Sequence, residues 1–434
     1  MMIIISKILF KVFIPVLLII TTFGCTKNSK SETDLLYWSS NLPEEILFAK
    51  YITTEWNENK KTYHIKFQPV PEGQSSEEVI LAAVVGKTTP DIYSNMWQGD
   101  VEVYGLAGVL IPFDTLEGFW DFINERCDST TIAEVTSSDG HIYQIPWKIN
   151  PIMMIYNQNI IKELNLKEVP RTYSEFTSAA KQFQKDSDGD GYVDRWFGYS
   201  EVLVTWWQRF FDFYPLYLAA SGGAPLIENN KAVFNNEYAV GVFKFLKNLY
   251  DNNYFSRERL STKQDIFLSG VVATRFTGPW EIAHSEKFKP AGFEYGFQNM
   301  PVPDNYTGPV YTYCDPKNIV VFNTCINPQL AFNFIKFALS KKNDLKFLEL
   351  TNQLPRRKGI DENPFYKEYF ENNLKMKIFA EQAKYVKGTD INPKLKEVFD
   401  LISQEYEACV IYGVKTPEDA VRDAAEAVDL LFLD

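Results

Sequence analysis

Short apolar runs alternate with longer amphipathic segments along the first part of the chain. Residues 35–38 are an apolar run typical of a buried strand, residues 89–93 are a second predicted short strand, and residues 63–68 alternate apolar and polar side chains as a half-buried strand does. Residues 43–57 and 76–85 have helical spacing. Strands that alternate with helices predict a parallel sheet with helices on both faces. Ligands of such sheets bind beyond the carboxyl ends of the strands, so we expect a site there.

A second block of strands and helices follows in the middle of the chain. Residues 153–156 and 271–277 are predicted strands, and residues 235–251 have the pattern of a long amphipathic helix. Thr172 and Glu175 have the spacing of a capping box, which predicts the start of another helix. A chain of 434 residues has room for two domains of ordinary size. The pattern therefore predicts an α/β protein with two domains.

The N-terminal residues predict export and a lipid anchor. A lysine-bearing segment precedes an apolar run over residues 12–23, which is typical of a secretory signal, here residues 1–24. The Gly-Cys step that ends at Cys25 resembles a bacterial lipoprotein cleavage site and implies that Cys25 is lipidated. The polar residues 25–34 would then be a tether. An uncleaved membrane-spanning helix is the less favoured alternative, because a lysine and a proline interrupt the roughly 20 apolar residues it needs.

The charge balance excludes one class of partner. The chain has 44 Lys and Arg against 56 Asp and Glu, a formal net charge of −12. Nucleic acids are bound by clustered basic side chains, so no nucleic-acid partner is expected.

Four cysteines remain besides Cys25, namely Cys127, Cys314, Cys325 and Cys409. Their spacing matches no metal motif. Either disulfides or buried thiols would suit an exported protein.

An acidic loop in the middle of the chain has the spacing of a calcium site. Its pattern is D-x-D-x-D-G-x-x-D, with a glycine at the sixth position, where a sharp turn is needed. We expect a structural Ca²⁺ held by carboxylates and one backbone carbonyl, from Asp186, Asp188, Asp190, Tyr192 and Asp194. Phe197 stands where such loops usually have a glutamate, so a distant carboxylate would complete the shell. A solvated acidic turn is the alternative.

An ordered set of short motifs runs along most of the chain. They are Gly-Lys-Thr-Thr-Pro-Asp-Ile at 86–92, Ala-Gly-Val-Leu-Ile-Pro-Phe at 107–113, Ile-Tyr-Gln-Ile-Pro at 142–146, Ile-Tyr-Asn at 155–157, Pro-x-Thr-x-x-Glu-Phe at 170–176, Gly-Pro-Trp at 278–280, Pro-Val-Pro at 301–303 and Leu-Pro-Arg at 354–356. Together they resemble the family 1 extracellular solute-binding proteins, the group that includes maltose-binding protein.

The resemblance implies a periplasmic-binding-protein fold of type II. In that fold two α/β lobes close by hinge motion on a ligand cleft between them. Each lobe is discontinuous in sequence. Lobe 1 would hold residues 35–146 and about 301–351, and lobe 2 residues 147–300 and about 352–434.

The candidate ligand-binding residues combine aromatic and polar side chains. Sugars offer hydroxyl edges and weakly apolar faces, so a sugar site needs both kinds of group. Trp280, after a Gly-Pro turn and beside Glu281, is the strongest aromatic candidate. The others follow predicted strands or match contact positions of the family: Ser39, Ser40, Asn41, Asn95, Trp97, Lys148, Asn150, Trp206, Trp207, Tyr313 and Asp315. Turn and N-cap chemistry would explain Ser39 to Asn41 equally well, and helix packing is the alternative for Trp206 and Trp207.

The resemblance implies a lipid-anchored, monomeric binding protein that faces the periplasm or the cell exterior. It would capture a neutral mono- or oligosaccharide and deliver it to the permease subunits of an ABC importer, without catalysis. His64, His141 and His284 lie in no zinc or triad motif. Two alternatives stay open. One is a glycosidase, since 56 acidic residues provide accidental carboxylate pairs, and the other is a sugar sensor that docks on a membrane receptor.

Overall fold

The computed structural model describes residues 34–60, 63–71, 75–186, 189–203, 205–260 and 264–433. The predicted signal peptide, Cys25 and Asp188 lie outside these residues. Within the described ranges, no helix combines the length and the apolar character that crossing a membrane requires.

The strands are short and spread along the chain. In chain order those of the described residues are β1 (Asp34–Ser39), β2 (His64–Pro69), β3 (Ile92–Trp97), β4 (Ile145–Ile149), β5 (Met153–Asn157), β6 (Trp196–Tyr199), β7 (Ile227–Glu228), β8 (Lys231–Ala232), β9 (Val272–Thr277), β10 (Tyr295–Gln298), β11 (Thr312–Tyr313), β12 (Lys317–Val321), β13 (Leu354–Pro355) and β14 (Val386–Lys387).

The first large sheet has the strand order β13-β4-β12-β3-β1-β2. β1 pairs in parallel with β2 and with β3, as the alternating pattern predicts. β12 runs antiparallel to β3 and β4, and β13 runs antiparallel to β4, so the sheet is mixed and not purely parallel. The carboxyl ends of β1, β3 and β4 therefore lie at the same edge as the beginnings of β12 and β13.

The second large sheet has the strand order β10-β5-β9-β6. β5 runs antiparallel to β10 and β9, and β6 runs parallel to β9. The beginning of β5 thus shares an edge with the carboxyl ends of β6 and β9. Only residues 150–152 separate β4 from β5, so this edge faces the carboxyl edge of the first sheet.

Helices flank both sheets. Those of the described residues are α1 (Pro43–Asn59), α2 (Ser76–Gly86), α3 (Gln98–Leu106), α4 (Phe119–Arg126), α5 (Ser129–Glu134), α6 (Gln158–Glu163), α7 (Tyr173–Phe183), α8 (Phe213–Ser221), α9 (Glu237–Asp251), α10 (Trp280–Phe288), α11 (Pro328–Ala338), α12 (Lys341–Thr351), α13 (Lys367–Asn372), α14 (Leu374–Gln382), α15 (Leu395–Tyr406) and α16 (Pro417–Leu431). The predicted capping box is confirmed at α7: the Thr172 side chain accepts from the Glu175 N–H, and the Glu175 carboxylate accepts from the Thr172 N–H.

Each sheet has an apolar core on both faces. In lobe 1, α1 and α11 pack on one face around Ile52, and α2 and α3 pack on the other around Ile80. In lobe 2, α7, α8, α9, α15 and α16 cover one face around Phe176, and α13 and α14 cover the other around Phe379. Burial of these faces is what holds each lobe together.

Two chain segments pair where they cross between the lobes. Asn150 N–H donates to the Cys314 carbonyl, and Ile152 N–H donates to the Tyr313 carbonyl at 2.8 Å. The lobe boundaries differ from the predicted ones. Residues 302–313, predicted for lobe 1, contact lobe 2, because Val302 exchanges backbone hydrogen bonds with Arg171 and Tyr173 and β11 packs against α8. Residues 147–149 and 354–355 belong to the lobe 1 sheet, because the pairing of β4 with β12 continues to Lys148 and β13 then pairs with β4.

Candidate ligand-binding site

A cavity of about 500 Å³ lies between the two facing sheet edges, and we call it the interlobe cavity. Ligand pockets in proteins typically measure about 300–1,000 Å³. Candidates from both lobes line this cavity, namely Ser40, Asn41, Asn95, Lys148, Asn150, Trp280 and Asp315. The structure therefore brings together residues that are up to 275 positions apart, counting from Ser40 to Asp315.

The topology of the first sheet explains why its polar residues meet. Ser40 follows β1, Asn95 lies near the end of β3, and Asn150 follows β4. Asp315 precedes β12 and Gln353 precedes β13, and both strands begin at the same edge. A side chain just beyond a strand leaves the apolar faces of the sheet, so this edge collects polar groups.

A buried carboxylate beneath the cavity organises three of these polar residues. Glu45 of α1 forms an ion pair with Lys148, and it accepts hydrogen bonds from Gln353 Nε2 and Ser40 Oγ, both at 2.8 Å. Burial alone would raise the pKa of Glu45, but the charge of Lys148 and these hydrogen bonds outweigh it and lower the pKa. Glu45 is therefore ionised, and it neutralises the Lys148 charge within the protein.

Asn150 lines the cavity and has a buried hydrogen-bond acceptor without a partner among the described residues. The residue is 2% exposed, and its Nδ2 donates to Gln353 Oε1 at 3.1 Å. Its Oδ1 has no hydrogen-bond partner within the described part of the chain. A buried acceptor without a partner costs about 1–3 kcal/mol, so a hydroxyl donor from a ligand would relieve this cost.

Trp280 supplies an apolar wall from lobe 2. A Cβ at position 278 would lie 2.2 Å from the Trp280 ring, so a glycine there allows the indole to fold back over the turn. The half-buried indole meets the Phe211 ring edge-on, with centroids 6.3 Å apart and an interplanar angle of 79°. Aromatic walls of this kind cover the apolar faces of ligands.

A second cavity, of about 790 Å³, shares Trp280 and Phe211 with the interlobe cavity. We call it the lobe 2 cavity, because all of its lining residues follow β5 and precede β10. Two further candidates, Trp207 and Glu281, line it. Trp207 lies on the 3₁₀-helix Trp206–Phe211 and is 41% exposed.

A charged network forms part of the wall of the lobe 2 cavity. Arg275 of β9 places Nη2 2.6 Å from Glu281 Oε1 and Nη1 3.2 Å from Asp265 Oδ2. Burial would raise the pKa of Asp265, but Arg275 and two backbone N–H groups outweigh it and lower the pKa. The wall therefore presents an ionised carboxylate beside a guanidinium, and both are strong hydrogen-bonding groups.

Four candidates line neither cavity. Ser39 is fully buried, and its Oγ donates to the Ser40 carbonyl at 3.1 Å. Trp97 contacts Trp206 with ring centroids 4.8 Å apart, and its Nε1 donates to the Tyr313 hydroxyl at 3.4 Å. Trp97 and Tyr313 are 3% and 1% exposed, so they form an aromatic contact between the lobes and offer no open ligand surface.

Several residues in or beneath the two cavities were not among the candidates. Phe211 lies within the aromatic stretch 206–217, whose rings the sequence does not distinguish. Gln353 directly precedes the Leu-Pro-Arg motif, which is the signal that points to it. Glu45 and Arg275 carry no such signal, because each acts through partners that are distant in sequence.

The acidic loop is a separate feature of lobe 2. The Asp186 carboxylate accepts hydrogen bonds from the backbone N–H groups of Gly189 and Gly191, at 2.6 and 2.8 Å. Among the described residues, no group of three or more His, Cys, Asp or Glu side chains is arranged to hold a metal ion, and Asp188 lies outside them. Calcium binding by this loop stays a prediction.

Comparisons with known proteins place this architecture in a family. Residues 54–373 match the family described as bacterial extracellular solute-binding protein. The solved structure of an uncharacterized protein from Listeria monocytogenes EGD-e is similar with a TM-score of 0.78 and 26% identity, and the match covers 92% of this chain and 100% of that chain.

Two curated relatives are similar over part of their length. The maltotriose-binding protein of Pyrococcus abyssi is 24% identical over 323 residues, which is 73% of this chain and 64% of that protein. The maltooligosaccharide ABC transporter solute-binding lipoprotein of Streptococcus pneumoniae (strain R6) is 23% identical over 241 residues, 53% of this chain and 52% of that protein. The chain thus spans between half and two thirds of the length of these relatives.

The family match extends over most of the segments that build the site, although β1, Ser40 and Asn41 precede its first residue. It includes β3, β4 and β12 of lobe 1, both paired crossing segments, and Trp280 with α10 of lobe 2. The two-lobed fold predicted from the sequence motifs is confirmed by the structural similarity. The chain belongs to the family of bacterial extracellular solute-binding proteins.

Proposed function

We propose that this protein captures a carbohydrate outside the cytoplasmic membrane and delivers it, chemically unchanged, to an ABC importer. The observation that carries the proposal is the composition of the interlobe cavity. Trp280 of lobe 2 lines the same cavity as Ser40, Asn95 and Asn150 of lobe 1. An aromatic face together with amide and hydroxyl groups matches the two kinds of surface that a sugar presents.

Two of the three lysines at the interlobe cavity have a counter-charge, which favours a neutral sugar, and the third, Lys287, is exposed to solvent. Lys148 is paired with Glu45, and Lys317 Nζ lies 3.4 Å from Asp315 Oδ1. A buried cation that already has a counter-charge gains little from an anionic ligand. A neutral mono- or oligosaccharide therefore fits this cavity better than a phosphorylated or acidic one.

Transport and anchoring are supported by the family and by the relatives. One relative is a maltotriose-binding protein, and another is an ABC transporter solute-binding lipoprotein. Together with the signal-like N-terminus and Cys25, they support a lipid-anchored protein that faces the periplasm or the cell exterior and docks on permease subunits.

Two carboxylates, one beneath the interlobe cavity and one in the lobe 2 cavity, are poorly suited to the acid role of a glycosidase. A glycosidase needs a carboxylic acid whose pKa is raised so that it can protonate the leaving group. Glu45 beneath the interlobe cavity and Asp265 in the lobe 2 cavity both have lowered pKa values, because basic partners and hydrogen bonds outweigh their burial. Neither is suited to act as the acid.

A thermal-shift screen against neutral sugars tests the proposal. A ligand at 100 times its dissociation constant stabilises the folded state by about 2.7 kcal/mol, so the melting temperature should rise clearly for the cognate sugar. Chromatography after long incubation should return the sugar intact. Cleaved sugar would indicate a glycosidase, and no shift with any sugar would contradict carbohydrate binding.

Transport and sensing are separated by an uptake assay. A strain that lacks this protein should lose uptake of the radiolabelled cognate sugar at concentrations near the dissociation constant. Normal uptake with a lost transcriptional response would instead indicate a sugar sensor.

A further inference from the structure

We infer that Asp100 of lobe 1 and Lys396 of lobe 2 form a clasp that holds the two lobes together at one end of the interlobe cavity. The clasp is made by protein groups alone, so it acts before any ligand binds. The inference goes beyond the proposed function and does not depend on which ligand the cavity takes.

The clasp is an ion pair between the starts of two helices. Asp100 lies in the first turn of α3 and Lys396 in the first turn of α15, and Lys396 Nζ is 2.6 Å from Asp100 Oδ1. The aspartate side chain is 8% exposed and the lysine side chain 35%. Ion pairs on the open surface contribute little to stability, but this pair is largely shielded from solvent at the contact between the lobes.

Asp100 relies on the opposite lobe for its counter-charge. Burial raises the pKa of Asp100, and the charge and hydrogen bond of Lys396 are the largest effects that oppose this rise. Glu77 adds to the rise, and Lys317, which also lines the interlobe cavity, lowers the pKa less than Lys396 does. Without Lys396, closed lobes would leave a buried carboxylate short of its main partner, and opening of the lobes would return it to water.

Two indole rings hold the ammonium group of Lys396 in place. Its Nζ lies 5.6 Å from the ring centroid of Trp97 in lobe 1 and 5.4 Å from that of Trp206 in lobe 2. The two rings contact each other, with centroids 4.8 Å apart. A cation within about 6 Å of an aromatic centroid is attracted to the ring. Lys396 therefore interacts with side chains of both lobes at once.

The clasp closes one end of the interlobe cavity. Asn95 lines the cavity, and Trp97, two residues further along the chain, is buried against Phe210 of lobe 2 with centroids 5.9 Å apart. At the other end, Leu42 before α1 and Phe288 at the end of α10 line the cavity and are exposed. The cavity is thus closed beside the clasp and open to solvent between α1 and α10.

A contact of this kind shifts the balance between open and closed lobes. In a hinged protein with two lobes, an interaction made only in the closed arrangement raises the closed population. A site that is already closed at one end has less ordering left to do when a ligand binds, which favours affinity.

Small-angle X-ray scattering of the full chain without ligand tests the inference, because the radius of gyration rises when the lobes separate. The wild type should match the closed structure. D100N and K396M should each have a larger radius, since the ratio of closed to open protein should fall about tenfold, as is common for side chains in direct contact. The double variant D100N/K396M should open no further than either single variant, because the two side chains act as one unit.

A charge swap and a matched control separate the clasp from local damage. D100K/K396D restores an ion pair between the lobes and should move the radius back towards that of the wild type. Lys244 and Glu418 form an ion pair within lobe 2 whose side chains are both more than half exposed, so K244M should keep the wild-type radius. Circular dichroism should show that all variants are folded.

Three results would overturn the clasp. They are a wild type that is already as open as the variants, folded D100N and K396M with the wild-type radius, and a charge-swapped protein as open as the single variants. None of them bears on the proposed carbohydrate function, which the sugar screen tests separately.

Discussion

Replacing Trp280 with alanine should weaken carbohydrate binding at least tenfold while the protein stays folded. The indole lines both cavities, so a sugar bound in either of them would contact it. If a sugar face covers about 60 Å² of the ring, burial at roughly 25 cal/mol/Å² contributes about 1.5 kcal/mol. A tenfold change in the dissociation constant corresponds to about 1.4 kcal/mol. The structural cost is small, because Trp280 is half-buried at the start of α10.

Isothermal titration calorimetry of W280A against the cognate sugar measures this effect. W280F keeps an aromatic face and should retain most of the affinity, whereas W120A removes an indole remote from both cavities and should bind as the wild type does. Unaltered affinity in a folded W280A would refute the reasoning and move the site elsewhere. Equal losses in W280A and W280F would show that the aromatic face is not what binds the sugar.

The remaining predictions concern the buried ion pair, the acidic loop and the N-terminus. K148M leaves Glu45 buried without its counter-charge and should lower the free energy of unfolding by roughly 3–5 kcal/mol in urea at pH 7. Because the pKa of folded Glu45 is lowered from 4.5, the pair stabilises the fold above that pH, and its contribution is lost as the pH falls through the folded pKa. The difference between wild type and K148M should therefore shrink at pH 3, and a difference independent of pH would contradict this account. If the acidic loop binds Ca²⁺, the melting temperature should be higher in calcium than in chelator, and D190A should abolish that difference. Equal wild-type melting temperatures in both conditions would remove the calcium site. C25A should release the protein from the membrane fraction, and retention there would contradict lipid anchoring.

Strand order accounts for the part of the site that could be predicted from the sequence. Ser40 follows the predicted strand at residues 35–38, Asn95 follows the predicted strand at residues 89–93, and the carboxyl ends of neighbouring strands share an edge. The edge therefore follows from local patterns together with the α/β topology. The position of Trp280 follows from the Gly-Pro turn that ends β9.

Side-chain direction across the two lobes could not be predicted in the same way. Trp97 is only two residues from Asn95, yet its ring packs against Trp206 of lobe 2 while Asn95 lines the interlobe cavity. The local pattern carries no information on which rings of the opposite lobe will be within reach. Phe211 is a similar case. It lies at the end of the 3₁₀-helix Trp206–Phe211 and lines both cavities, and the sequence did not predict this helix.

The lobe boundaries depend on long-range pairing as well. Residues 147–149 belong to the lobe 1 sheet because the strand that contains them, β4, pairs with β12. β12 returns to lobe 1 only after the chain has completed the second sheet. Such pairing is not visible in the local alternation of polar and apolar side chains.

The most direct test is a crystal structure of the protein with the tightest-binding oligosaccharide. We expect one sugar ring in the interlobe cavity, against Trp280 and within hydrogen-bonding distance of Asn150 Oδ1, with every glycosidic bond intact. An oligosaccharide bound away from both cavities, or a cleaved sugar in the site, would contradict the account.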